Sequence, residues 1–449
     1  MTNLIIHFSK YAVIVLMILY TLYSFLVFTY ESERRQRSLY RKQNTLTLLI
    51  HLICFAVLYL ENPSKEMIYF YGAQVIFFLA AIILYTTLYP RIARVILNHM
   101  LMLLSIGLIM ITRLDFRRGV KQFIFMCVAL IVSLIVPVIV RKVRMLADLK
   151  TLYGIIGVVS LMAVLVAGGI SNGAKLGFTV GPVSIQPSEF VKIVFVFFTA
   201  SSLYRNKSFR NVCITTAIAA AHVLILVVSK DLGAALIIFV VYLVMLYAAT
   251  GNGLYPTAGL AAGAVASVGA YYMFSHVRDR VIAWKDPIGN YDEQGYQVAQ
   301  ALFAIGTGGW FGMGLCQGMP DTIPVAESDF IFAALCEEMG IFYALCLILI
   351  CLSCYIMFLN VAMKFRNVFY KLVALGLGTC YIAQTFLNIG GVIKFIPSTG
   401  VTLPLISYGG SSLISTMIMF AIVQGLYLLR EDEEKSIERK RQRSERVPY

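Results

Sequence analysis

The stretch PVAESDFIFAALCEEMG (324–340) runs directly into IFYALCLILICLSCYIMFL (341–359). The second part is long and apolar enough to cross a bilayer as a helix, since about 20 such residues suffice. Acids gather where the apolar run begins, with Glu327 and Asp329 at its polar edge and Glu337 and Glu338 inside it. On one continuous helix the latter pair lies roughly 12 Å below Asp329. Charge in such a segment is costly, so each of these acids is a functional candidate.

The same pattern extends along the chain. Apolar runs are expected to span near 8–30, 45–61, 68–88, 97–113, 121–141, 151–169, 187–203, 211–229, 231–249, 257–275, 329–359, 370–389 and 404–429. Hydrophobic residues make up 59% of the 449 and charged ones 13%, so water is not the main solvent and no soluble domain fits. The fold expected is an all-α polytopic membrane protein. Its first run, Tyr11–Phe28, exceeds a signal-peptide core and reads as a retained helix.

The net charge of +14 does not point to nucleic acid, because basic residues sit in short loops between apolar runs. Arg34, Arg91, Arg141, Arg205, Lys364 and the tail from Arg430 fall on one side of this arrangement. The positive-inside rule makes that side, and the C-terminus, cytoplasmic, and the N-terminus extracytoplasmic. Segments 114–120, 170–186, 276–328 and 390–403 then face outward, and their basic residues run against the rule and suggest a held anion. The outer loop 276–328 is far longer than ordinary connections and so reads as functional. Within it, 297–314 reads as a short helix ending in glycines. Nine cysteines and five histidines show no disulfide or metal-ligand spacing.

Glu189 and Lys192 in QPSEFVK (186–192) share a helix face. They form either a self-neutralised pair locking two helices or a charged face of an outward cavity. Asp231 in KDLGAAL (230–236) fits a helix N-cap and serves as structural support. Asp329 is either an N-cap or, with its pKa raised by an apolar wall, a catalytic base. The segment 388–412, NIGGVIKFIPSTGVTLPLISYGGSS, sets helix breakers at membrane depth, tolerated only inside protein or along a polar cavity.

QPSEFVK, KDLGAAL, GYQVAQALFAIGTGGWFGMGL (295–315), SDFIFAALCEEMG (328–340) and NIGG with PSTGVTLPLISYGGSS (397–412) together resemble the shape, elongation, division and sporulation (SEDS) family, the FtsW/RodA/SpoVE-like peptidoglycan polymerases. The resemblance implies a ten-helix SEDS-type bundle over 97–429, with about three extra N-terminal transmembrane helices in 1–96 and a basic and acidic tail in 430–449. It implies a peptidoglycan glycosyltransferase of the bacterial cytoplasmic membrane that polymerises lipid II on the outer face, in division or elongation, beside a class B penicillin-binding transpeptidase. Its proposed catalytic acid falls on Asp329, and a second acid on Asp321. Where the family commonly reads PEAHTDF this chain has PVAESDF, and SKDLGAA replaces QPDLGT. Leu176-Gly177, beside Lys175, replaces an Arg-Trp pair.

Such chemistry requires a base for the acceptor hydroxyl and positive charge for the departing pyrophosphate, from side chains or from a divalent cation such as Mg or Mn. Lys192, Glu189, Arg280, Lys175 and Lys394 are the substrate and pyrophosphate candidates; Ser407, Tyr408, Gly409 and Gly410 are structural support, and no metal ligands are assigned. Two other functions compete: a lipid II flippase, whose charges would continue to the cytoplasmic side, and a non-catalytic scaffold for the transpeptidase.

Overall fold

The computed structural model describes residues 2–171, 174–180 and 183–445. Three helices come first: α1 (Thr2–Thr29), α2 (Glu33–Glu61) and α3 (Lys65–Leu88). They lead to α4 (Arg94–Leu114), α5 (Phe116–Lys142), α6 (Lys150–Ala167), α7 (Pro187–Leu203), α8 (Phe209–Val228) and α9 (Leu232–Thr250). Next are α10 (Leu254–Met273), α11 (Ser275–Lys285), α12 (Tyr296–Gly308), α13 (Ile331–Met363), α14 (Val368–Val392) and α15 (Gly410–Glu445).

All thirteen expected spans fall on helices. Among the described residues eleven helices are long and apolar enough to cross a bilayer, and a bent pair makes a twelfth. That pair is α10 and α11, which meet at 100°, so the loop expected over 276–328 opens with a helix. The thirteenth, α7, has only 17 residues. The segment 170–186, of which only an outward position is expected from the sequence, carries a small antiparallel sheet, β1 (Gly169–Ser171), β2 (Ala174–Val180) and β3 (Val183–Ile185), in that order. Short strands pair there because the segment is a tight hairpin meander, with Phe178 opposite Ile185.

The core is centred on α4, where every residue from Val95 to Thr112 is buried. A helix buried all round has to be apolar all round, and its few polar side chains must find partners. Around it pack α2, α5 and α13, while α15 lies along α5. At one end Asp432 of α15 pairs with Arg141 at 2.6 Å and with Arg91 at 3.6 Å, which puts two of the basic clusters and the tail together.

The span expected over 329–359 is not one helix. It begins at Ile331 and breaks at Gly340, which adopts φ 83° and ψ 171°, a region open only to glycine. The turn after α12 threads the break. Met313 and Gly314 amides donate to the carbonyls of Glu337 and Glu338 at 2.9 and 2.8 Å, and the Ile341 amide donates to Gly309 at 3.0 Å. Glu337 and Glu338 therefore end a short half-helix beside the outer loop instead of lying deep in a span.

A side chain at Gly340 would bring its Cβ within 2.3 Å of the Gly312 nitrogen. Backbone strain and overpacking together predict that Gly340→Ala costs about 2–5 kcal/mol. Gly72→Ala on α3, where a Cβ meets nothing within 4 Å, leaves the melting temperature in detergent nearly unchanged and is the control.

Candidate active site

The segment between α14 and α15, 393–409, has no regular structure, and Leu405 (φ 66°) and Gly400 (φ 70°) sit in left-handed conformations. Its backbone is held by side-chain amides on neighbouring helices. Asn388 Nδ2 donates to the Val401 carbonyl at 2.7 Å, and Gln384 Nε2 to that of Thr402 at 3.1 Å. From α5, Gln122 Nε2 donates to the Ser407 carbonyl at 3.1 Å, while the Gly409 amide donates to Gln122 Oε1 at 3.3 Å. Gly107 makes room for the loop on α4, since a Cβ there would meet the Ile406 carbonyl oxygen at 2.6 Å.

This loop packs against the segment that carries the candidate base, just before α13. Asn388 Nδ2 also donates to the Asp329 carbonyl at 2.9 Å, and Ser407 Oγ donates to that of Ser328, so the two segments are stitched side by side. Asp329 does not cap α13, whose N-cap position is Phe330. Its carboxylate instead faces Arg280 across Gly400. A Cβ on Gly400 would lie 3.2 Å from Arg280 Nη2 and 3.5 Å from Asp329 Oδ2. Arg280 is fixed by donating from Nη1 to the Ser398 carbonyl at 2.8 Å, and its charge acts on both Asp329 and Asp231. Burial raises the Asp329 pKa above the ordinary carboxylate value, against the lowering effects of Arg280 and the Ser328 hydroxyl.

Asp231 caps α9, accepting from the Ala234 amide at 3.1 Å, and ties α7 to it by accepting from Ser188 Oγ at 2.8 Å. Gly233 lets this helix end approach the loop, because a Cβ there would meet Val401 Cγ1 at 2.2 Å. Glu189 and Lys192 lie deeper. Lys192 Nζ donates to Glu189 Oε2 at 2.8 Å and to Gln384 Oε1 at 2.7 Å, with its side chain only 2% exposed. Ser415 Oγ donates to the same Glu189 oxygen at 3.1 Å. Of the two arrangements open to this pair, the structure has the interhelical lock, and Gln384 links it to the active-site loop.

The remaining candidates are spread around this centre. Asp321 is exposed and pairs at 3.6 Å with Arg113, which also binds buried Glu338 through Nε at 2.9 Å. It belongs to that cluster and not to the Asp329 site. Glu327 pairs with Arg118, whose guanidinium lies 5.9 Å from the Tyr408 ring, while the Tyr408 amide donates to the Glu327 carbonyl at 2.8 Å. Lys394 has φ 61°, and its carbonyl accepts from Trp284 Nε1 at 3.1 Å. Gly410 packs on Phe125. Lys175 is on β2, and its side chain lies outside the described residues.

Sequence reasoning missed Arg113, Gln122, Gln384 and Asn388. Gln384 and Asn388 carried a signal, as two amides one turn apart in an apolar span. Among the described residues no three His, Cys, Asp or Glu side chains converge to hold a metal ion, and the cation that faces Asp329 is Arg280.

Residues 93–430 match the family profile described as cell cycle protein, FtsW/RodA/SpoVE. The chain belongs to this family. It is 35% identical over 348 residues to the peptidoglycan glycosyltransferase RodA of Mycobacterium tuberculosis, covering 71% of this chain and 74% of the relative. It is 33% identical over 358 residues to a probable peptidoglycan glycosyltransferase FtsW of Saccharophagus degradans, covering 74% and 92%. Its fold is similar to that of the Thermus thermophilus rod shape determining protein RodA, with 22% identity, TM-score 0.58, and 77% and 98% coverage. A chain of a peptidoglycan synthase complex gives 23% identity, TM-score 0.63, and 75% and 97% coverage.

Two outcomes follow from these charges. Lys192→Met strands Glu189 in the bundle and costs about 3–5 kcal/mol, read as a loss of thermal stability, because a buried charge loses its partner. Asp329→Asn acts the other way. With a folded-state pKa above the unfolded one, Asp329 favours folding below its unfolded pKa and loses that contribution as pH rises through the folded value. The amide variant therefore melts higher than the parent at pH 8, and the advantage vanishes near pH 4.

Proposed function

We propose that Asp329 is the general base of a peptidoglycan glycosyltransferase that joins the disaccharides of lipid II on the outer face of the cytoplasmic membrane. The activity follows from the family and from relatives bearing that name; the assignment of Asp329 rests on the Asp329–Gly400–Arg280 arrangement. The acceptor sugar's 4-hydroxyl attacks the donor's anomeric carbon. Asp329 takes the hydroxyl proton, the bond from that carbon to the pyrophosphate oxygen breaks, and the electron pair leaves with the lipid pyrophosphate. A carboxylate whose pKa is raised by burial is a stronger base than an exposed one. Arg280, across Gly400, receives negative charge as the leaving group departs.

In this reading Lys192 and Glu189 hold the bundle behind the site and touch no substrate, while Lys394 and Lys175 are outer-side cations available to the pyrophosphate. A class B penicillin-binding transpeptidase is the partner that crosslinks the strands. The N-terminus lies with the outer loop and the tail at the opposite, cytoplasmic end.

The test is glycan-strand formation from purified lipid II by the purified protein with its transpeptidase. Asp329→Ala and Asp329→Asn are expected to lower the rate by about 10²–10⁴-fold, the range for removing a general base. Polymerisation by either variant at the parental rate would remove Asp329 from the chemistry.

A further inference from the structure

The family match begins at residue 93, and α1–α3 lie before it. Helices that merely anchor a bundle would meet it through apolar side chains. Here α1 and α2 also meet it through buried polar bonds. The Tyr20 hydroxyl lies 3.0 Å from His99 Nδ1, and His99 Nε2 lies 2.9 Å from Ser353 Oγ, so one imidazole joins α1, α4 and α13. Asn98 Nδ2 donates to Gln43 Oε1 at 2.9 Å, and His51 Nδ1 lies 2.8 Å from Ser105 Oγ. Polar bonds between membrane helices fix how they pack, because any other register leaves the groups unpaired in hydrocarbon.

At its other end α1 reaches the break in α13. Lys10 Nζ donates to the Gly312 carbonyl at 3.0 Å. The amides of residues 312–314 are used inward, toward Gly308, Glu337 and Glu338, while the Gly312 carbonyl accepts from Lys10. The Tyr11 ring lies 5.7 Å from Phe311, which in turn lies 5.3 Å from Phe342 just past the break. The ammonium thus rests on the turn that is hydrogen-bonded to the end of the half-helix 331–339, and that half-helix begins two residues after Asp329.

We propose that α1 is a positioning element of the polymerase and that Lys10 is its working contact: by seating the 309–314 turn in the break of α13, it sets where Asp329 stands. This rests on the reading of Asp329 as the base. Lys10 touches no reacting atom and is a positioning residue. Displacing a reacting group by about 1 Å costs up to 10²-fold in rate, so a small shift of this turn is enough to be measured.

The experiment uses the full-length protein with lipid II and its transpeptidase, comparing the parent, Lys10→Met, Lys10→Arg and Asp329→Asn. Amide hydrogen exchange over 309–316 is followed in the same preparations. Lys10→Met is expected to lower kcat about 10-fold or more with KM unchanged, to speed exchange at 312–314, and to leave the melting temperature within a few degrees. Lys10→Arg restores both readouts. Unchanged kcat in Lys10→Met overturns the proposal whether or not exchange accelerates, and so does a fall only in proportion to the folded fraction. Activity in Asp329→Asn would instead overturn the reading of the base, and the exchange data would still report the Lys10 contact independently.

Discussion

Backbone that leaves regular structure inside a membrane bundle has to find its hydrogen bonds within the protein, because lipid offers none. Two such segments define this molecule, the turn at 308–318 and the loop at 393–409. Each is solved differently. The amides of the turn are satisfied largely by other backbone, including the carbonyls exposed where α13 breaks at Gly340, and its Gly312 carbonyl by Lys10. The loop, besides its own backbone bonds, is held by Gln122, Gln384 and Asn388, whose amides are presented by regular helices. Rigid helices therefore dictate the shape of irregular backbone, and the site inherits its geometry from them.

That inheritance explains why a carboxylate and a guanidinium can face one another with little between them. Gly400 has no side chain to separate Asp329 from Arg280, and Ser398 in the same loop holds Arg280 from behind. Burial disfavours the ionised carboxylate while the neighbouring cation favours it. A base needs both effects: enough desolvation to want a proton, and enough positive charge to remain ionised until one is offered. Two other intramembrane cations are paired directly, Lys192 with Glu189 and Gln384, and Arg113 with Glu338 and Asp321.

Much of this was legible from the sequence because hydropathy governs where a chain can cross a bilayer. All thirteen apolar runs became helices, and the acid at the edge of the longest one lies at the centre of the site. What could not be read was pairing through space. Asp321 stands eight residues before Asp329 in the chain, yet Arg113, far away in sequence, claims it. Nor did the run EEMGIF announce a break, since one glycine in an apolar helix is usually tolerated and only the intruding turn makes this one necessary. The strands at 169–185 were hidden by their shortness, with too few residues for alternation to show.

The distribution of free and spent charge also separates chemistry on one face from transport across the membrane. A headgroup carrier would need unpaired polar groups along a path from one end to the other. The central helix α4 does carry polar residues through its length, but Asn98, His99 and Ser105 are bound to Gln43, Tyr20, Ser353 and His51. Those partners come from the helices that close this side of the bundle. Releasing them for a passing pyrophosphate would leave several groups unpaired in hydrocarbon at once, whereas at the Asp329 end the cation and the acid flank a glycine with their polar atoms on the same patch of loop. The cost of opening α4 and the readiness of that patch favour a reaction at one surface over passage through the core.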